Sequence, residues 1–258
     1  TSLFRAPFAW AVLAGTQFVL AYQFLAQIEI FNELQPRLAR LAAPPGVTQL
    51  VVQPLLVTVA MLLLFIVPAL SMQTLAGERR AGTLALWYSS PLPLRTLVGG
   101  KFLGLMSLLA VLWLSAALMP FTLAWGTALD VGTLAAGLLG LALMMMAAAA
   151  IGLFFSALTS QPTLAALGGF ACLMFLWMCD WSGRIDGEPT LFTHLSMMNH
   201  FQSFVRGYVD TADLAYFLLV TVGALALTVW RLPGAPRGPP RSRAARPLGA
   251  PPPPSPGG

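Results

Sequence analysis

The sequence predicts an all-α, polytopic membrane protein with six transmembrane helices and both termini in the cytoplasm. Of its 258 residues, 57% are hydrophobic and only 9% are charged, and the mean hydropathy is +0.77. About a quarter of the residues are charged in a typical soluble domain. The charges here are confined to short segments between long uncharged runs, and about 20 apolar residues are enough for a helix to cross the hydrocarbon core.

The uncharged runs locate the six spans. They are predicted at about 7–28, 51–75, 102–125, 131–158, 163–180 and 214–230. Pro44, Pro45 and Gly46 place the start of the second helix near Val51, and Pro162 with its polar neighbours separates the fourth span from the fifth. We predict one transmembrane domain over 1–231. A Pro/Arg-rich tail over 232–258 holds ten of the 21 prolines and is predicted to be disordered.

The distribution of charge predicts the orientation. The side that holds both termini carries ten of the 14 Lys/Arg residues and a single acid, Glu78, whereas the other side carries four basic residues and eight acids. Cytoplasmic loops are enriched in Lys and Arg, so both termini and loop 77–101 are expected in the cytoplasm. The net charge of +5 therefore reflects topology. Because the apolar runs leave little soluble surface, we expect no nucleic-acid partner.

The main cytoplasmic loop, GERRAGTLALWYSSPLPLRTLVGGK, has an internal pattern of its own. Residues 78–88 contain no proline, and Leu84, Trp87 and Tyr88 follow the i, i+3, i+4 spacing of an amphipathic helix. Such a helix lies on the membrane surface or against a partner protein. The basic residues of the loop are also explained by topology alone.

This loop resembles the cytoplasmic segment of type-2 ABC exporter permeases, in which a glutamate, a Gly-Thr-Leu, a Ser-Pro and a Gly-Lys recur in this order between the second and third spans. The matching residues are Glu78, Gly82, Thr83, Leu84, Ser90, Pro91, Gly100 and Lys101. HFQSFVRGYVDTADLAYF, at 200–217, resembles the approach to the last span in the gliding-motility-type permeases of that group. FRAPFAWAVLAGTQF, at 4–18, is similar to their first span.

The resemblance implies a permease subunit of an ATP-driven exporter in the bacterial inner membrane, with 78–88 as the coupling helix that docks into a separate ATP-binding subunit. The residues implied in coupling are Glu78, Arg79, Gly82, Thr83, Leu84, Trp87, Ser90 and Pro91. Further partners implied are a second permease subunit, in a homodimer or heterodimer, membrane lipids and an accessory extracytoplasmic protein. Family chains usually begin with more cytoplasmic residues, so we expect residues to precede Thr1.

No cofactor is expected in this chain, because it contains no GxxxxGK[ST] phosphate loop. ATP and Mg are expected in the partner subunit. No catalytic residue is predicted either, since HExxH and GxSxG motifs are absent from the sequence. The middle of the spans carries no charged residue, which disfavours ion-coupled transport. The apolar spans favour a lipid-linked or amphipathic cargo.

The outer segment, 180–213, carries the other candidate chemistry. His194 and His200 lie six residues apart, which places them on different faces of a helix, and the neighbouring acids lack metal-ligand spacing, so no metal site is expected. The apolar residues that follow helical spacing, and predict an amphipathic helix in the outer interface, are Phe201, Phe204, Val205 and Tyr208.

The same segment suggests how the last span begins. Asp210 precedes Asp213 by three residues, as in a capping box, and Arg206 is spaced to pair with Asp210. The candidate outer gate consists of His200, Phe201, Arg206 and Asp210. Two alternatives to an exporter stay open: an intramembrane enzyme that uses His194, His200 and the nearby acids, and a structural membrane anchor for surface machinery.

Overall fold

The computed structural model describes residues 7–38, 46–77, 94–123, 130–186 and 194–232. The described part contains six helices long and apolar enough to cross a membrane, so the predicted all-α class with six candidate spans is confirmed. In chain order the elements are α1 (Pro7–Leu38), a π-helical turn (Thr48–Val52) that continues into α2 (Gln53–Ser71), α3 (Leu94–Leu123), α4 (Val131–Leu158), α5 (Pro162–Asp186), the short α6 (Met197–Val205) and α7 (Thr211–Arg231). The predicted tail, except for Leu232, lies outside the described residues.

Local sequence fixes where several of these helices begin. The Asp130 carboxylate accepts hydrogen bonds from the N–H groups of Gly132 and Thr133, at 3.1 and 3.3 Å, and so caps α4. Pro162 opens α5, where the N–H that proline lacks would have no helical partner. Unpaired backbone groups are costly in hydrocarbon, so such caps decide where a membrane helix can start.

The central element of the bundle is α4. Of its most apolar stretch, 72% is buried inside the protein, against 22% for the corresponding stretches of α5 and α7. It packs against α2, α3, α5, α6 and α7. Its side chains at 147–150 are all alanines and all buried, and small residues let neighbouring helices approach closely in a membrane protein, where no hydrophobic effect drives helices together.

Hydrogen bonds between elements show which helix ends lie together. At one end the Asp130 N–H donates to Thr48 Oγ1, at 3.1 Å, and Gln53 Nε2 donates to the carbonyl of Val205, at 3.0 Å. At the other end, the side chain of Ser156 contacts the residues that follow α2. We call these the α6 end, formed by 46–53, 130–133 and 194–210, and the Ser156 end, formed by 72–77 and 156–161.

Candidate functional site

The residues assigned to coupling by the family resemblance lie outside the described residues, which stop at Gly77 and resume at Leu94. They are Glu78, Arg79, Gly82, Thr83, Leu84, Trp87, Ser90 and Pro91. What the structure describes is the chain that leads into this segment.

The second helix ends shortly before that segment. Pro68 lies in its last turn, and Ser71 is its last residue. Thr74 then turns back on the helix end: its N–H and its hydroxyl both donate to the carbonyl of Ser71, at 3.0 and 2.6 Å. Helical conformation resumes at Ala76. The chain therefore makes a defined break between the membrane helix and the segment that follows.

This break leaves backbone N–H groups without a helical acceptor, and a side chain of α4 accepts their hydrogen bonds. Ser156 Oγ accepts hydrogen bonds from the N–H groups of Leu75 and Ala76, at 3.1 and 3.0 Å, and its own hydroxyl faces the carbonyl of Met72 at 3.5 Å. Ser156 is fully buried, as are Leu75 and Ala76. The first N–H groups of a helix have no partner within it, and an N-cap side chain normally supplies the acceptor. Here that acceptor comes from another membrane helix.

Close helix packing brings Ser156 into position. A Cβ atom at Gly152, one turn before Ser156, would lie only 2.5 Å from Ser71 Oγ, so a glycine is required for α2 and α4 to approach this closely. A Cβ atom at Gly169 of α5 would contact Pro68 at an ordinary 3.7 Å. Three membrane helices thus converge on the break, and the chain that enters segment 78–88 is anchored to the central one.

At the opposite end, α6 packs onto α4. Ser196 caps α6 by accepting the N–H of Asn199, at 3.2 Å, and the rings of Phe201 and Phe204 are fully buried. A Cβ atom at Gly140 of α4 would lie 2.5 Å from the Cβ of Phe204. The predicted amphipathic helix is present. Its apolar side chains were expected to enter the outer membrane interface, but Phe201, Phe204 and Val205 are buried against the rest of the protein. Tyr208 lies beyond the helix and is 72% exposed.

The end of α6 explains why Tyr208 leaves that face. Gly207 has φ +89°, a conformation that favours glycine, and its N–H donates to the carbonyl of Phe204 at 3.0 Å. The N–H of Tyr208 donates to the carbonyl of Ser203, also at 3.0 Å. These two bonds form a Schellman motif, which ends the helix and redirects the chain towards α7.

His200 ties α6 to α7. Its Nδ1 lies 2.5 Å from an oxygen of Asp213, its Nε2 lies 2.9 Å from the carbonyl of His194, and its ring stacks on Tyr216 at 4.1 Å. The Tyr216 hydroxyl donates to the carbonyl of Leu195, at 2.7 Å. Each ring nitrogen of His200 faces an oxygen atom. Both contacts are hydrogen bonds only when His200 and Asp213 together carry two protons. In this arrangement the imidazole links helices instead of activating a nucleophile.

The other two candidate gate residues lie in the turn between α6 and α7. The predicted pair of Arg206 with Asp210 is not formed among the described residues, because Gly207 ends the helix between them. The Asp210 carboxylate instead caps α7, where it accepts the N–H of Ala212 at 3.1 Å. Asp210 therefore caps the helix as predicted. In a capping box the Asp213 side chain would bond the N–H of Asp210, whereas here it contacts His200. A gating role for His200, Phe201, Arg206 and Asp210 remains a prediction.

Sequence reasoning missed Ser156, Gln53 and the partner of Asp213. Ser156 is one hydroxyl in a run of small and apolar residues, and only its position one helical turn after Gly152 hints at a close helix contact. Gln53 is an uncharged polar residue within the predicted second span, and it bonds a backbone carbonyl 152 residues away in the chain. Pairs so distant leave no local pattern.

These features define a multi-pass membrane protein built around one buried helix. Residues 11–233 match a protein family described as "ABC-2 family transporter protein". This match covers most of the chain, which therefore belongs to the ABC-2 transporter family. No curated protein matches the chain at a significant level.

Family membership determines the general role of the chain. It is the membrane permease of an ABC transporter, and ATP is hydrolysed in a separate ATP-binding subunit with which it pairs. The chain itself carries no cofactor. The intramembrane-enzyme alternative is thereby removed.

Proposed function

We propose that this chain is the permease of an ATP-driven exporter, and that segment 78–88 docks into the ATP-binding subunit and receives its movement. The observation that carries the proposal is the anchored break before this segment. Because Ser156 holds the N–H groups of Leu75 and Ala76, a displacement of 78–88 would act directly on α4. In turn, α4 packs against five other helices. Coupling between distant sites requires such a chain of packed and hydrogen-bonded elements.

We further propose that the Ser156 end faces the cytoplasm and the α6 end faces outwards. The loops next to the Ser156 end, together with the chain termini, hold ten basic residues and one acid, whereas the segments at the α6 end hold four basic residues and eight acids. The positive-inside rule counts Lys and Arg in short loops, so it favours this orientation. It also places the docking segment on the side where ATP is available.

The proposed assembly contains two permease subunits, as a homodimer or heterodimer, and ATP-binding subunits, in a bacterial inner membrane. Large apolar side chains on the exposed face of α1, such as Phe18 and Tyr22, are available to lipid or to the second permease. The segments at 4–18 and 200–217 support a place among gliding-motility-type permeases. An accessory extracytoplasmic protein would meet the α6 end.

Variants of segment 78–88 test the proposed docking. We expect Leu84→Asp to weaken association with the ATP-binding subunit by roughly 30-fold, because about 2 kcal/mol is typical when a central apolar contact of an interface is lost. Trp87→Ala should weaken it in the same direction. Glu78→Ala should keep the partner but lower transport per ATP hydrolysed. The measurements are co-purification of the partner, its ATPase rate and transport in proteoliposomes.

Arg95→Gln serves as the matched control, because Arg95 is an exposed cation at the start of α3 on the same loop. It should keep partner binding and turnover at wild-type levels. If Leu84→Asp, Trp87→Ala and Glu78→Ala all behave like this control, segment 78–88 does not couple the two subunits.

A further inference from the structure

A cleft at the α6 end lies between the start of α2, the start of α4 and one side of α6. It consists of two adjoining hollows of about 150 and 340 Å³, which share Gln49, Gln53 and Arg206. Thr48 and Asp130 contribute further polar groups to the smaller hollow. The larger hollow adds Gln202 and four apolar side chains, Pro54, Val57, Met198 and Val205. The cleft thus has an apolar wall only in the larger hollow, beside the shared polar groups.

Arg206 supplies a cation that no carboxylate contacts in the described part of the chain. The two acids nearby are already engaged: Asp210 caps α7, and Asp130 caps α4. The pKa of Asp130 is lowered, first by the hydrogen bond from the Thr133 hydroxyl and then by backbone N–H groups, so this carboxylate is charged at neutral pH. The smaller hollow therefore presents the guanidinium of Arg206 and the carboxylate of Asp130, which are not paired with each other.

Amide groups add hydrogen-bond donors to the same cleft. Gln53 Nε2 is occupied by the carbonyl of Val205, whereas the side chains of Gln49 and Gln202 make no hydrogen bond to other described residues. A guanidinium with neighbouring amide N–H groups suits phosphate oxygens, which accept charge-assisted hydrogen bonds from arginine. An apolar wall beside such a group suits a hydrocarbon chain.

We propose that this cleft binds a membrane phospholipid, with the phosphate at Arg206 and an acyl chain along Pro54, Val57 and Met198. A free phosphate ion would leave the apolar hollow unused. The carboxylate of Asp130 favours a head group that also carries an ammonium, as in phosphatidylethanolamine. The cleft lies at the ends of membrane helices, the level at which lipid head groups sit. The inference does not rest on the coupling role of segment 78–88, nor on which leaflet faces the α6 end.

Photo-labelling of the full chain in maltoside micelles, which contain no competing phosphate, tests the proposal. The probe is a photoactivatable phosphatidylethanolamine, and its matched control is a diacylglycerol with the same reactive acyl chain. We expect the phospholipid to label peptides within 49–57 and 198–206. Arg206→Gln should lower this labelling about tenfold, the range expected when one charge-assisted contact is lost. Arg206→Lys should retain most of it.

Arg231→Gln is the matched variant, since it removes an exposed arginine from the far end of α7. It should leave labelling at the cleft unchanged. Unfolding temperatures measured on all variants distinguish a lost ligand contact from a lost fold. Equal labelling of wild type and Arg206→Gln, equal labelling by the diacylglycerol probe, or full displacement of the phospholipid by inorganic phosphate at the concentration of the probe itself would each overturn the proposal.

Discussion

Replacing Ser156 by alanine is expected to uncouple ATP hydrolysis from transport. The substitution removes the acceptor for the buried N–H groups of Leu75 and Ala76, and an unsatisfied buried donor costs about 1–3 kcal/mol. The chain before segment 78–88 should then separate from α4. Since about 1.4 kcal/mol corresponds to a factor of ten in an equilibrium, we expect transport per ATP to fall on the order of tenfold.

The comparison that isolates this effect is Ser160→Ala. Ser160 is an exposed hydroxyl in the turn after α4, close in sequence to Ser156. Both variants should insert in the membrane and retain the ATP-binding partner, while only Ser156→Ala changes the ratio of transport to ATP hydrolysis in proteoliposomes. An unchanged ratio in Ser156→Ala would show that the cap is structural and takes no part in coupling.

Replacing Gly140 by alanine is expected to displace α6 from the bundle. The new methyl group would lie 2.5 Å from the Cβ and 2.7 Å from the Cγ of Phe204, and the Cβ cannot be moved away by any side-chain rotation. Overpacking of this kind costs about 1–3 kcal/mol. The measurement is the unfolding temperature in detergent, together with protease cleavage in the turn after α6, which should become faster.

Gly104→Ala is the control for this substitution. Gly104 lies in α3, and a Cβ atom built there meets nothing within 4 Å. Because alanine favours the helix over glycine by about 1 kcal/mol, this variant should be as stable as wild type or more so. If Gly140→Ala behaves in the same way, the described packing of α6 on α4 is incorrect.

Composition and charge spacing were enough to predict six candidate membrane spans and the all-α class. Membrane helices satisfy their own backbone and must be about 20 residues long, so each one leaves a local signal in the sequence. The α4 span, for example, runs between Asp130, a charged cap, and the polar turn at 159–161. The Asp210 cap was predictable for the same reason, because its partner is two residues away.

The long-range hydrogen bonds at the two ends of the bundle were not predictable in this way. Ser156 meets residues about 80 positions earlier in the chain, and Gln53 meets Val205 across most of the sequence. The prediction that Arg206 pairs with Asp210 used the spacing of a continuous helix, but Gly207 ends α6 between them. Local spacing rules fail where the chain turns.

The central claim is the orientation of the chain in the membrane. The proposed docking of segment 78–88 and the interpretation of the charge distribution both depend on it. Cys172 and Cys179 are first replaced by alanine, and a single cysteine is then introduced at Ser160 of the Ser156 end or at Tyr208 of the α6 end, both exposed. With a membrane-impermeant thiol reagent on intact cells, we predict labelling at position 208 only, and labelling at 160 only after the membrane is opened. Labelling of intact cells at 160, with none at 208, would contradict the account.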